Sequence, residues 1–294
     1  MMRRWSSIAR ATALEILSEP LSLLLLVAGV ALSTLAPAFH YHQFGEATRM
    51  ARDAGFSALF TCGLLVVTFG AVKTFRREIE TGTAQMALAH PVSRTGFFLA
   101  KTLGVALAGL VFSAILFAAL LTVVNGAAIG GALVEKSGDL ARIWGPSLAL
   151  GLSTAVVPLA VAAALNRFAR FRFVLTFFGC AACVSLAGVP YRFDPALATR
   201  LLPVAVSVGL TLAVFLSAAA AFAVRLRTNG AAAAVGVLFA VCLPALGNYY
   251  LPEALSNGGR LPWSYVGLAA AAAAPAVLAF LLLGIRFFNG KDVA

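Results

Sequence analysis

The sequence predicts an all-α polytopic membrane protein with about eight transmembrane helices, six remaining possible, preceded by an N-terminal interfacial helix. Three observations predict it. Mean hydropathy is +0.95, and only 11% of residues are charged, against about 25% in ordinary soluble domains. Charge-free stretches near the length that crosses ~30 Å of hydrocarbon recur along the chain. Basic residues and aromatic residues also segregate to opposite ends of those stretches, as a bilayer requires.

Residues Met1–Glu19 are too polar to span. Trp5, Ile8, Thr12 or Ala13, and Ile16 recur at helical spacing, while Arg3, Ser6, Ser7 and Arg10 fall on another side. That pattern predicts an amphipathic helix on the inner membrane surface, blurred by Leu14 and Glu15 and stopped at Pro20. MMRR, an apolar run and Ala36-Pro37-Ala38 together look like a secretory signal, but the run begins only at Leu21, after Arg10, Glu15 and Glu19. An uncleaved first span is therefore expected. The expected spans are Leu21–Phe39, Ala54–Val72, Thr102–Val124, Trp144–Leu165, Phe173–Pro190, Leu201–Val224, Ala231–Leu246 and Val266–Ile285, none with a charged residue. The fifth and seventh are short for a full crossing, which leaves room for a re-entrant pair. Alanine runs at Ala218–Ala221, Ala231–Ala234 and Ala269–Ala274 predict close helix packing.

With the N-terminus inside, fifteen of the 22 lysines and arginines fall on the cytoplasmic side and seven outside, as the positive-inside rule requires. Tyr41, Trp144, Tyr191, Tyr249, Tyr250, Trp263 and Tyr265 all fall at the outer ends, where amphipathic rings favour the interface. Both termini are thus expected in the cytoplasm, in a multi-pass protein of the cell (inner) membrane. The net charge of +11 is a topology signal, and no nucleic-acid partner is needed to explain it.

The spans also exclude chemistry. None carries the buried carboxylate on which a proton- or cation-coupled carrier usually depends. There is no HExxH motif and no GxxxxGK[ST] phosphate loop, so no catalytic, cofactor-binding or metal residue is expected in this chain. Cys62, Cys180, Cys183 and Cys242 lie in apolar runs, and Cys180/Cys183 reads as helix packing, since a reactive thiolate needs a polar, accessible setting. His40 and His42 suit an interfacial loop better than a metal site. The basic, aromatic stretch Asn166–Arg172 could meet RNA or anionic lipid, and a topology-setting loop anchored at lipid headgroups is the expected reading. Glu135, Lys136, Asp139 and Arg142 are expected in a solvated outer loop after the third span.

One charged island stands apart: Lys73–Lys101, KTFRREIETGTAQMALAHPVSRTGFFLAK. Arg76, Arg77, Glu78 and Glu80 sit where the second span leaves the membrane. Thr81, Gly82 and Thr83 weaken helix continuity, Ala84–Ala89 is long enough for a short helix, and Pro91 ends it. Ser93 can cap the next helix, and Lys101 can snorkel to the interface. A helix–break–helix element on the cytoplasmic face is expected. An ordinary basic loop serving only topology is the competing reading.

The stretch REIETGTAQMALAHPVSRTGFFLAKTLG resembles the segment between the second and third spans of type-2 ABC transporter permeases. The resemblance rests on Arg77, Glu78, Glu80, Gly82, Thr83, Pro91, Val92, Ser93, Arg94, Lys101 and Gly104. The opening SIARATALEILSEPLSLLLL is similar to that family's interfacial elbow helix, and RFFNGKDVA resembles its basic C-terminal end. The resemblance covers about the first 125 residues and is general beyond them; eight spans exceed the six usual in the family. It implies a division into an elbow helix (1–19), a permease domain (20–288) with 73–101 as coupling segment, and a cytoplasmic tail (289–294). It further implies a permease subunit, an exporter, paired with a second permease copy as homodimer or heterodimer. ATP would be held by a separate ABC ATPase subunit. Arg77, Glu78, Glu80, Gly82, Thr83, Pro91, Arg94 and Lys101 form the implied ATPase-coupling segment, with Glu78 and Glu80 as polar contacts and Arg77 and Arg94 as ion-pair or lipid-facing neighbours. A path lined by small apolar residues suits an amphiphilic cargo. A non-transporting membrane protein for envelope assembly or sensing, or an integral membrane lipid enzyme, are the alternatives.

Overall fold

The computed structural model of the chain describes residues 2–35, 47–81, 93–137, 141–170, 172–192, 195–226, 234–236 and 261–290. All regular structure among them is α-helical. In chain order the long helices are α1 (Met2–Leu17), α2 (Pro20–Leu35), α3 (Ala47–Glu80), α4 (Arg94–Ser137), α5 (Ala141–Ala169), α6 (Phe173–Arg192), α7 (Pro195–Arg225) and α8 (Trp263–Asn289). Seven of the eight expected spans therefore coincide with a helix. The seventh, Ala231–Leu246, lies outside the described residues except for 234–236.

Pro20 acts as expected. A proline at the first helical position loses no intrahelical bond, so α2 starts there, and the chain bends by 63° between α1 and α2. Glu19 O accepts the Ser22 N–H at 3.1 Å across this turn. Among the described residues four helices (α3, α4, α7 and α8) are individually long and apolar enough to cross a membrane, and the bent α1–α2 pair makes a fifth if it is counted as one span. In α5 and α6 the described apolar stretches are shorter, Ser153–Phe168 and Phe173–Ser185.

The 34 residues of α3 and 44 of α4 make rods of roughly 50 and 65 Å at 1.5 Å per residue, well over the ~30 Å hydrocarbon core. Their surplus length carries charge. Helix α3 continues past Val72 through Arg76, Arg77, Glu78 and Glu80, and α4 begins at Arg94, ahead of the apolar run that opens at Thr102. Helix α3 ends at Glu80 and Thr81 is a bend, its N–H and hydroxyl both donating to Arg77 O; Gly82 and Thr83 lie outside the described residues.

The helices form two compact units. One comprises 1–16, 64–110 and 200–294. Its core joins Val72 and Phe75 of α3, Phe97 and Phe98 of α4, Ala220, Ala223 and Val224 of α7, and Phe288 of α8, with Ile8 of α1 against it. The rings of Phe75 and Phe98 lie 5.1 Å apart, and Phe288 sits 6.1 and 6.2 Å from Phe97 and Phe98. Lipid tails are as apolar as leucine, so burial alone does not draw such helices together. Close packing of small residues and well-filled contacts does. The alanines of α7 meet that expectation, Ala218–Ala221 being wholly buried. Those of α8 do not: Ala271, Ala272 and Ala274 face outward, because α8 is buried only at Val266, Gly284 and Phe288.

The other unit comprises 17–63 and 111–199. Here α2 packs against α5 and α6, and Leu25, Leu26 and Val30 are buried with Phe56 and Leu59 of α3 and Leu116 and Leu120 of α4. The buried hydroxyls of Ser33 and Thr34 donate to Gly29 O and Val30 O, at 2.7 and 2.6 Å, so neither is left unpaired in an apolar setting. Cys62 is buried in this unit, and Cys180 and Cys183 are free thiols on α6.

Candidate coupling site

The charged stems of α3 and α4 place the candidate residues by helical phase. At about 100° per residue, Arg76 and Glu80 share one face of α3, while Arg77 and Glu78 turn to different neighbours. Arg76 Nη2 donates to Glu80 Oε1 at 2.7 Å, one turn on, and the Glu80 side chain remains 59% exposed. With the carboxylate largely in solvent, an i,i+4 pair of this kind contributes only tenths of a kcal/mol. Arg77 Nη1 reaches Glu15 Oε1 of α1 at 2.9 Å, with both side chains exposed.

Glu78 turns inward and pairs with Lys101 of α4; the two side chains are 20% and 10% exposed. Lys101 was expected to snorkel to the interface. It is instead drawn into the protein, where a carboxylate and the Phe97 ring, 5.8 Å from Nζ, receive it. Glu78 lies beyond the apolar run that ends at Val72. Burial pushes its carboxyl above the ordinary value; the hydrogen bond and charge of Lys101 pull it back, Glu15 adds to the rise and Arg77 opposes it. Glu78 Oε2 and Arg76 Nε are buried with no hydrogen-bond partner among the described residues.

Arg94 opens α4, and its Nη1 donates to the Asn289 carbonyl at the end of α8, 3.4 Å away. The Arg225 guanidinium, ending α7, lies 5.8 Å over the Phe287 ring. Ser93 caps α4 as expected: its Oγ accepts the Gly96 N–H at 3.1 Å. Helix α1 is amphipathic, but its apolar stripe is covered by protein. Ala9, Thr12 and Ile16 are buried, while Trp5, Ser6, Ser7, Arg10 and Leu14 are exposed. What admits α1 is Gly104 of α4: a Cβ there would lie 2.6 Å from Ala9 O and 2.6 Å from Thr12 Cβ.

Of the expected coupling residues, then, Arg77, Glu78, Glu80, Arg94 and Lys101 gather on two adjoining stems, with Glu78 and Lys101 joined inside and Glu80 presented outside. Gly82, Thr83 and Pro91, with the expected short helix Ala84–Ala89, lie outside the described residues, as do His40, His42 and Cys242. Sequence reasoning missed Glu15, Arg225 and the Asn289 carbonyl. Glu15 had left a trace: it is the charge that disturbs the amphipathic pattern of α1.

This arrangement defines a class: an all-α, multi-pass membrane protein with an amphipathic N-terminal helix and charged, ion-paired ends on two long helices. The family model described as ABC-2 family transporter protein matches residues 4–179, three-fifths of the chain from α1 into α6, and the chain belongs to that family. It is a type-2 ABC transporter permease. Searches of curated proteins and of solved structures give no match.

Proposed function

We propose that this chain is the membrane-spanning half of an ABC exporter, driven by ATP bound and hydrolysed on a separate ATPase subunit that docks on residues 73–101. The observation that carries the proposal is the internal brace Glu78–Lys101 with Glu80 left outward beside it. An element that receives a push must be stiff within and polar without, and these stems are both. Arg94–Asn289 and Arg77–Glu15 fasten the same stems to α8 and α1, so a displacement there is passed to several helices together. In this reading both termini and the coupling segment are cytoplasmic, the membrane is the cell (inner) membrane, and two permease copies, identical or different, accompany two ATPases. The chain itself performs no catalysis. The cargo is amphiphilic or lipid-like, in keeping with spans that carry no charged residue.

The test is copurification. Gentle extraction of the tagged protein from its native membrane should bring down a P-loop ATPase, and Glu80→Lys should reduce its recovery about tenfold or more, since like charges set against each other across an interface cost several kcal/mol. Membrane insertion and yield should be unchanged. Recovery of the permease without any ATPase, or an undiminished complex with Glu80→Lys, would count against this docking surface.

A further inference from the structure

The turn between α5 and α6 carries positive charge that no acidic side chain among the described residues balances. Arg167, Arg170 and Arg172 are all exposed, and none has an ion-pair partner among the described residues. Elsewhere the protein provides partners: Arg52 has Asp53, Arg76 has Glu80 and Arg77 has Glu15. Here it does not, and no aspartate or glutamate occurs anywhere between Asp139 and Asp194.

Two local features sharpen this. Arg170 has φ of 54°, in the left-handed region that costs a residue with a side chain about 1 kcal/mol and is ordinarily given to glycine. The position needs the turn, and it uses arginine to make it. Immediately beyond, α6 begins with no acidic residue in its first turn, so its free N–H groups add to the positive field.

Beside the arginines lies a continuous apolar surface. Phe168 is 87% exposed, the highest value among the large hydrophobic side chains of the described residues. Val157, Val161 and Leu165 precede it at spacings of four, four and three residues and are 43, 39 and 37% exposed. These four form one stripe along α5 that ends at the arginine turn. A phosphodiester with charge alone would need no such stripe; a molecule with an anionic head and long hydrocarbon tails matches both parts.

We infer that the α5–α6 turn is a binding site for an anionic phospholipid. The headgroup phosphate is held by Arg167, Arg170 and Arg172, and an acyl chain lies along Phe168, Leu165, Val161 and Val157. The site is independent of ATPase docking. Each arginine near an anionic headgroup strengthens binding about fivefold, so the three together favour an anionic over a zwitterionic lipid by roughly a hundredfold.

The test uses the full-length protein, stripped of lipid in detergent and titrated with phosphatidylglycerol or phosphatidylcholine of identical acyl chains, with retained lipid counted by native mass spectrometry. Wild type should retain phosphatidylglycerol roughly a hundredfold more strongly. R167Q/R170Q/R172Q should abolish the preference. Arg170→Gly keeps the left-handed turn and should weaken phosphatidylglycerol about fivefold with an unchanged unfolding midpoint, so loss of lipid is separable from loss of fold. Phe168→Ala should weaken both lipids alike. Equal retention of the two lipids by wild type, or an undiminished preference in the triple variant, would overturn the assignment. Displacement of phosphatidylglycerol by a single-stranded RNA oligomer, with the same dependence on the three arginines, would overturn it in favour of RNA.

Discussion

Lys101→Met should lower the stability of the folded protein by about 3–5 kcal/mol, the usual cost of removing one partner from a buried ion pair. Methionine fills much of the space of the lysine stem, so what is lost is mostly charge. Glu78, with its side chain only 20% exposed and its Oε2 already buried without a hydrogen-bond partner among the described residues, would be left without its cation. The sign of the pH dependence follows. Burial already raises this carboxyl, and without Lys101 the folded-state value rises further above the unfolded one. A carboxyl raised on folding costs stability once pH exceeds its unfolded value and costs nothing where both states are protonated. The deficit should therefore be greatest at neutral and alkaline pH and shrink as pH falls toward the ordinary carboxylate range. Thermal unfolding of the purified protein across that range would measure it. Glu78→Leu combined with Lys101→Met should recover most of the loss, because replacing both ions with apolar groups is often neutral. A single variant as stable as wild type at pH 8 would show that the pair does not brace the stems.

Gly104→Val should dislodge α1. A side chain at 104 meets a carbonyl oxygen and a Cβ, neither of which can swing aside as the end of a long side chain could. Overpacking of this kind costs about 1–3 kcal/mol, and the least costly relief is for the elbow helix to lift. Arg10 should then become a fast tryptic site, and the unfolding midpoint should drop. Gly104→Ala should show the same effects in smaller measure. Protection of Arg10 identical to wild type in the valine variant would mean that α1 is not seated on α4 as described.

Much of this architecture was legible because its signals are local. Pro20, Ser93 and the Thr81 bend are short-range chemistry, and each marks a helix end where expected. The apolar runs fixed seven helices because hydrocarbon thickness sets their length. The inward turn of Lys101 was not legible. In sequence it is a lysine at the mouth of a span, and only the approach of α3, bringing Glu78 from 23 positions away, changes what it prefers. Helix α1 posed the same difficulty. A stripe of Ile8, Thr12 and Ile16 suits lipid or protein equally, and the small size of Ala9 and Gly104 decides between them only when both helices are in view. Backbone acceptors such as Asn289 O carry no signature in composition at all. Within the coupling segment, the resemblance grouped Glu78 with Glu80, whereas helical phase sends one inward and the other outward.

Phe288 and the Asn289 carbonyl also set an order of events during synthesis. Arg94 is made 195 residues before its acceptor, and Phe97 and Phe98 wait nearly as long for the Phe288 ring. Contacts separated this widely form late. Until α8 is made, the start of α4 therefore presents aromatic rings only partly covered, by Phe75 of α3, next to an unanchored arginine. A chain released early keeps that surface exposed, a mark by which chaperones and membrane proteases can distinguish an unfinished copy from a finished one.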